Sequence, residues 1–256
     1  IIVLLALAVP RWPGNAPLVV AAAVVSAMAA AEALSLSSYP GGRAARAAVM
    51  ASTAAATLAV SRGLMASLPL AVLPGFVAVA GLVFGGNPSG TLRSAASAGW
   101  ISSLVSVGLG LLVRIRIEWG GAWFMMIPLL SCWAGDSAAY FTGGLLGRRR
   151  MSPAISPAKT WEGFAGGIAG SAAGAVVAGS IGAAQPLWSM VLLGVAAGAA
   201  GAMGDLAESS VKRDAGVKDS GSFIPGHGGV LDRIDSIVAA APVAWLWLRL
   251  LGTKLP

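Results

Sequence analysis

Charge is scarce in this chain: only 11% of its 256 residues are Asp, Glu, Lys or Arg, while 57% are hydrophobic. A soluble domain carries roughly 25% charged and under 50% apolar residues, so a water-soluble globule is excluded and lipid is the fitting solvent. Cys132 is the single cysteine, which rules out an intrachain disulfide and leaves no set of thiolates for zinc or an iron–sulfur cluster. Redox chemistry has nothing to run on. Acids are nearly missing from the first half, where only Glu32 and Glu118 precede residue 136.

What is present is apolar sequence with a mean hydropathy of +0.81. A hydrocarbon core about 30 Å thick takes roughly 20 apolar residues per helix, so the length holds about eight or nine spans with short connections. The expected fold is all-α, an integral membrane protein of about nine transmembrane helices. The spans are Ile1–Val9, Leu18–Leu36, Ala44–Val60, Leu68–Phe84, Ala95–Val113, Gly121–Leu146, Trp161–Ala183, Leu187–Leu206 and Ile237–Leu251. Ile1–Val9 is too short to cross and reads as truncated; it lacks the charged region and cleavage site of a signal peptide. The chain divides into N-terminal helices over 1–130 and a catalytic region over 131–256, within one continuous membrane domain. Gly163, Gly167, Gly170 and Gly174 have the spacing that lets helices approach closely.

The net charge of +7 does not call for nucleic acid; basic loops beside anionic lipid heads account for it. If the spans alternate, eleven of the basic residues fall on one side and six on the other, so the richer side is cytoplasmic. This places the N-terminus in, the C-terminus out, and both polar loops, 147–160 and 207–236, in the cytoplasm of a cell with the chain in its inner or plasma membrane. Trp12, Trp100, Trp119, Trp188 and Trp245 lie near span ends, as an aromatic belt would.

Eight acids, Asp136, Glu162, Asp205, Glu208, Asp214, Asp219, Asp232 and Asp235, crowd into the hundred positions after 135. Ionisable groups at membrane depth are costly, which makes that region the place to look for chemistry. Asp205 and Glu208 share a helix face, and Asp232 and Asp235 repeat the spacing. Such oxygen donors suit Mg²⁺, although Asp232 and Asp235 would also complement a helix dipole. Between the pairs, Gly226, Gly228 and Gly229 offer backbone amides to phosphate oxygens, and His227 either touches phosphate or binds its own loop. Lys212, Arg213, Lys218 and Arg233 alternate with acids such as Asp219, a pattern that grips a polyphosphate and its metal together.

A second segment, RRRMSPAISPAKTWEG from Arg148 to Gly163, contains two Ser-Pro steps. Ser156 capping and Pro157 in the first turn predict a helix start there, with Lys159 and Glu162 on one face. Asp136, inside an apolar span, is a further candidate for a buried metal or lysine partner.

The run SSVKRDAGVKDSGSFIPGHGGVLDRID, Ser209 to Asp235, resembles the signature of the phosphatidate cytidylyltransferase family without departure. ISPAKTWEG, Ile155 to Gly163, is similar to that family's other recurrent motif, and GDSAAYFTGGLLGR, Gly135 to Arg148, to the segment preceding it; Ala158 stands where many relatives carry Lys or Gly and is assigned no role. Before residue 130 the likeness is one of hydropathy alone. The resemblance implies a dimeric helical membrane enzyme with its site at the cytoplasmic edge, converting CTP and phosphatidic acid into CDP-diacylglycerol and pyrophosphate. It implies Asp205 and Asp232 as principal Mg²⁺ ligands, with Glu208, Asp235 and Asp136 near and a second, monovalent cation such as K⁺. Lys159, Lys212 and Arg213 then act on phosphate, with Ser156, Lys218, Asp219, Arg233 and the glycine turn binding substrate. The nearest rival is a CTP-using polyprenol or phytol kinase. A cation-coupled transporter would place charges at midplane and show inverted repeats, and a scaffold would give no reason for the acids.

Overall fold

The computed structural model describes residues 15–63, 67–84, 91–183, 185–221 and 228–250. Among these, eight α-helices follow one another: α1 (Ala16–Leu36), α2 (Arg43–Arg62), α3 (Ser67–Val83), α4 (Thr91–Trp119), α5 (Ala122–Leu146), α6 (Trp161–Ala178), α7 (Leu187–Asp214) and α8 (Leu231–Leu250). The expected span Ile1–Val9 lies outside the described residues, as do Trp12, Gly226 and His227. Among the described residues, five helices are long and apolar enough to cross a membrane: α1, α2, most of α4, α6 with the turn after it, and α7. Val20, Val24, Phe76, Phe141, Leu145 and Leu192 point outward, more than a third exposed, which is the inverse of a soluble surface and is what lipid requires.

Several expected boundaries move because the backbone stays helical beyond the apolar run: α4 covers Thr91–Trp119 rather than Ala95–Val113, and two further shifts shape the site. α7 does not stop at Leu206 but runs on to Asp214, and its end is set by glycine: Gly216 has φ 71°, its N–H donates to Arg213 O at 3.0 Å, and the Val217 N–H donates to Lys212 O at 3.0 Å. That is a Schellman closure, and nothing earlier in the chain breaks the helix. Its 28 residues span about 42 Å, roughly 12 Å more than the thickness of a hydrocarbon core. Similarly α8 starts at Leu231, not Ile237. The loop expected over 207–236 therefore shrinks to 215–230, and its acids belong to helix ends.

The segment 147–160 also differs. Arg150–Ser152 (β1) pairs antiparallel with Ser156–Thr160 (β2), in register Arg150 with Thr160 and Ser152 with Ser156, so Ser156 and Pro157 lie in a strand rather than at a helix start. The cap is Thr160, whose Oγ1 accepts from the Gly163 N–H at 3.1 Å. Glu162 in the first turn accepts from the Arg148 and Arg149 N–H groups at 3.0 and 3.2 Å. A proline tolerates either a helix start or a strand edge, and Thr160 with Glu162 supplies the stronger start signal.

Of the expected belt, Trp100 and Trp188 are exposed, but Trp119 is 3% exposed and stacks on Phe124, and the Trp245 indole donates to Glu118 at 3.1 Å. These two are packing residues. One large core joins α1 with α4 through α8, and a smaller one around Leu34, Tyr39 and Val49 ties α1 to α2, α3 and α4.

α5 and α6 pack closely along the small-residue face expected from Gly163 to Gly174. A Cβ on Gly170 would lie 2.5 Å from the Ala138 methyl and 2.6 Å from the Ala134 carbonyl oxygen. Gly170→Leu should therefore lower the melting temperature in detergent, by a cost of about 1–3 kcal/mol or more, since backbone on the facing helix cannot yield. A variant melting like the parent would show that the two helices do not touch there.

Candidate active site

The helix ends gathered at one end of the bundle carry the site. The C-terminal turns of α7 present Asp205, Ser209, Lys212 and Arg213; the first turns of α8 present Asp232, Arg233, Asp235 and Ser236; α5 supplies Asp136, and the loop between α7 and α8 supplies Lys218 and Asp219. Together they line a cavity of about 330 Å³. The α7 and α8 backbones approach closely enough for this because of Gly204, where a Cβ would meet the Asp235 carbonyl oxygen at 2.6 Å.

The charges are interlocked. Lys212 Nζ sits 2.6 Å from Asp232 Oδ1 and 2.9 Å from Glu208 Oε2, with all three side chains at most 12% exposed. Lys159, brought in by β2, lies 2.7 Å from Asp205 Oδ2, and Ser209 Oγ donates to Asp205 Oδ1 at 3.2 Å. Arg213 grips backbone, its Nε donating to Ile155 O and a terminal NH to Val217 O, each at 3.1 Å, so it fastens the hairpin turn to the end of α7. Asp232 Oδ2 accepts three times: from the Ser220 N–H at 2.9 Å, the Ser220 hydroxyl at 2.9 Å and the Gly229 N–H at 2.8 Å. A carboxylate so held has a fixed orientation.

The glycine turn is in part committed elsewhere. Gly228 has φ 80°, a conformation that favours glycine. The Gly229 amide, expected to face phosphate, donates to Asp232 instead. The next two amides, Val230 and Leu231, donate at 2.8 Å each to Glu32 on α1. Glu32 and Ser220 were not among the expected site residues, although an acid within an apolar span is a signal in itself.

A second cavity of about 700 Å³ adjoins the first and shares Asp136 and Asp205 with it. Arg150, Ser156 and Lys159 from the hairpin line one part; Tyr140, Met151, Phe164 and Leu206 line another. Asp214 stands apart, paired with Arg93 on an exposed surface.

Residues 1–251 match the profile of the cytidylyltransferase family. The chain belongs to that family. Among curated members and relatives it resembles the phosphatidate cytidylyltransferase of Brucella suis, 48% identical over 115 residues, which are 45% of this chain and 43% of that one. It is 40% identical over 152 residues to the phosphatidate cytidylyltransferase of Haemophilus influenzae, 55% of this chain and 52% of that one. The Escherichia coli protein YnbB is 38% identical over 184 residues, 69% of this chain and 61% of that one. The matches thus span about half the length of these cytidylyltransferase relatives.

Proposed function

We propose that this chain joins CTP to phosphatidic acid, forming CDP-diacylglycerol and releasing pyrophosphate, as the names of its relatives suggest. The observation that carries this reading is the pair of adjoining cavities sharing Asp136 and Asp205: one lined by polar and charged residues of both signs, the other basic at the hairpin and apolar along α5, α6 and α7. The first suits a nucleoside triphosphate. The second suits a lipid with an anionic head.

In this reading Lys159, Arg150 and Ser156 hold the phosphate of phosphatidic acid, and Lys212, Arg213, Lys218 and Arg233 hold the triphosphate. A phosphate oxygen of the lipid forms a bond to the α-phosphorus of CTP. The bond from that phosphorus to the oxygen bridging to the β-phosphorus breaks, and its electron pair leaves with pyrophosphate. The attacking oxygen is already anionic, so no general base is needed; alignment and neutralisation of charge are the residues' work.

The donors fit a hard cation. Five carboxylates line the first cavity, Asp136, Asp205, Asp219, Asp232 and Asp235, Glu208 is buried beside it, and Asp205 and Asp232 each already hold a cationic ammonium. No three such groups among the described residues converge tightly enough to hold an ion as the side chains now stand. Asp205 and Asp232 would hold Mg²⁺, with Glu208, Asp235 and Asp136 near it and suited also to a monovalent cation such as K⁺. Bound there, Mg²⁺ would offset the charge of the pyrophosphate leaving group.

Purified in detergent and given CTP, Mg²⁺ and phosphatidic acid, the protein should release pyrophosphate and CDP-diacylglycerol in equal amounts. Release of CDP with phosphorylation of an isoprenoid alcohol instead would establish the kinase reading. A homodimer belongs to the same proposal, and a monomer mass in lipid nanodiscs would remove it.

The site end is proposed to face the cytoplasm. All eleven basic residues assigned to that side by alternation lie within the described residues, while Arg62, Arg114, Arg116 and Arg249 stand at the other end. Ser152→Cys should resist an impermeant maleimide in intact cells and react after permeabilisation, since the hairpin is partly exposed. Labelling from outside would invert the orientation.

A further inference from the structure

Among the described residues before 130, Glu32 reaches the neighbourhood of the cavity through contacts that the proposed chemistry does not use. Glu32 lies in the penultimate turn of α1, half-buried, and its carboxylate accepts from the Val230 N–H through Oε1 and the Leu231 N–H through Oε2, both at 2.8 Å. These amides belong to the start of α8, where N–H groups have no partner within the helix. Glu32 does for α8, from nearly two hundred residues away, what a local cap does elsewhere.

A third contact reaches the site. The Ser220 hydroxyl lies 3.0 Å from Glu32 Oε2 and 2.9 Å from Asp232 Oδ2, and it has one proton to give. Two carboxylates from opposite ends of the sequence thus share one donor. The backbone is shaped around Glu32 as well: a Cβ on Gly221 would lie 2.7 Å from its Oε1, and one on Gly229 would collide with Ser220 Oγ. Glycine stands at both places because α1 brings a carboxylate between them.

We infer that Glu32 is a positioning residue: by capping α8 and binding Ser220 it fixes the turn that holds Asp232, so that Oδ2 stays on backbone and hydroxyl donors and Oδ1 stays on Lys212, which lines the cavity. The inference deepens the proposed cytidylyl transfer, and its geometry stands independently of that reading. Because Gly229, Val230 and Leu231 donate to Asp232 and Glu32, their amides are structural donors and not a phosphate cradle.

The test compares Glu32→Gln, Glu32→Asp and, as a control at the far end, Glu118→Gln. A glutamine cannot accept at both ends of its side chain, so the α8 start should lose amide protection, read by hydrogen exchange on peptides covering 228–235. The Mg²⁺ concentration giving half-maximal turnover, and that giving half-maximal thermal stabilisation, should each rise about tenfold, with turnover reduced even at saturation. Glu32→Asp keeps the charge with a shorter reach and should fall between. Glu118→Gln breaks bonds to Arg114, Arg249 and Trp245 and should lower stability while leaving the Mg²⁺ midpoint unchanged. Should Glu32→Gln fail to fold, Ser220→Ala removes only the shared hydroxyl and should shift both midpoints in the same direction by less.

A folded Glu32→Gln with lost amide protection but the parent's Mg²⁺ midpoints would make the residue a structural cap only and overturn the inference. Tighter CTP binding in that variant would also overturn it, by showing that the carboxylate occupies a phosphate site. If the parent protein itself makes no CDP-diacylglycerol, the functional reading fails, while amide exchange and Mg²⁺-dependent stabilisation still decide the role of Glu32.

Discussion

Asp205→Asn should reduce CTP-dependent turnover about a hundred- to a thousandfold while leaving the protein folded. Asparagine reproduces the shape, and its two ends suit the present partners: the amide group can donate to Ser209 Oγ, and the carbonyl can accept from Lys159 Nζ. What is lost is one negative charge beside a site that must hold a cation between two phosphate-bearing substrates. Asp232→Asn should lose at least as much turnover and also some stability. Its Oδ1 faces an ammonium and its Oδ2 faces three donors, so an amide group meets donors whichever way it is turned, at about 1–3 kcal/mol. Asp214→Asn is the control, because its pair with Arg93 is exposed and worth under about 1 kcal/mol. If Asp232 served only the dipole of α8, turnover would survive with a stability change of a few tenths to about 1 kcal/mol. Kinetics and melting curves across a Mg²⁺ titration separate the two roles.

Lys212→Met should be the most destabilising change at the site. Its ammonium is the cation between Glu208 and Asp232, and removing it leaves two largely buried carboxylates facing each other, at a cost of about 3–5 kcal/mol. The compensating experiment is Lys212→Met with Glu208→Gln, which lowers the local charge on both sides. The double variant should regain much of the lost melting temperature. Turnover should stay low, because the Lys212 ammonium no longer meets the triphosphate. Recovery of turnover along with stability would confine Lys212 to holding the fold.

The helix centres were legible because hydropathy measures what dissolves in lipid, and α1 through α6 lie where the apolar runs are. The ends of α7 and α8 were not, because hydropathy falls at Asp205 and rises again at Ile237 while the backbone stays helical through both. The true stop was written in Gly216, a chain-geometry signal rather than a solubility signal. Ser156-Pro157 misled for a related reason: a proline near a serine fits either a helix start or a strand edge, and the choice fell to Thr160 and Glu162 further on.

For the site, the motif residues Asp136, Lys159, Asp205, Lys212, Arg213, Asp219, Asp232 and Arg233 lie together along the two cavities. Pairings were a different matter. That Lys212 bridges Glu208 to Asp232, that Lys159 reaches Asp205, and that Glu32 caps α8 are contacts between distant parts of the chain, and spacing within one segment carries no record of them.

The most direct measurement follows the label from CTP carrying radioactive phosphorus at the α position or at the γ position, with phosphatidic acid as acceptor, for the parent protein and Asp205→Asn. The account predicts that α label enters the lipid fraction, γ label appears as pyrophosphate, and both signals fall together in Asp205→Asn. Label from the γ position in the lipid fraction, or transfer undiminished in Asp205→Asn, would contradict it.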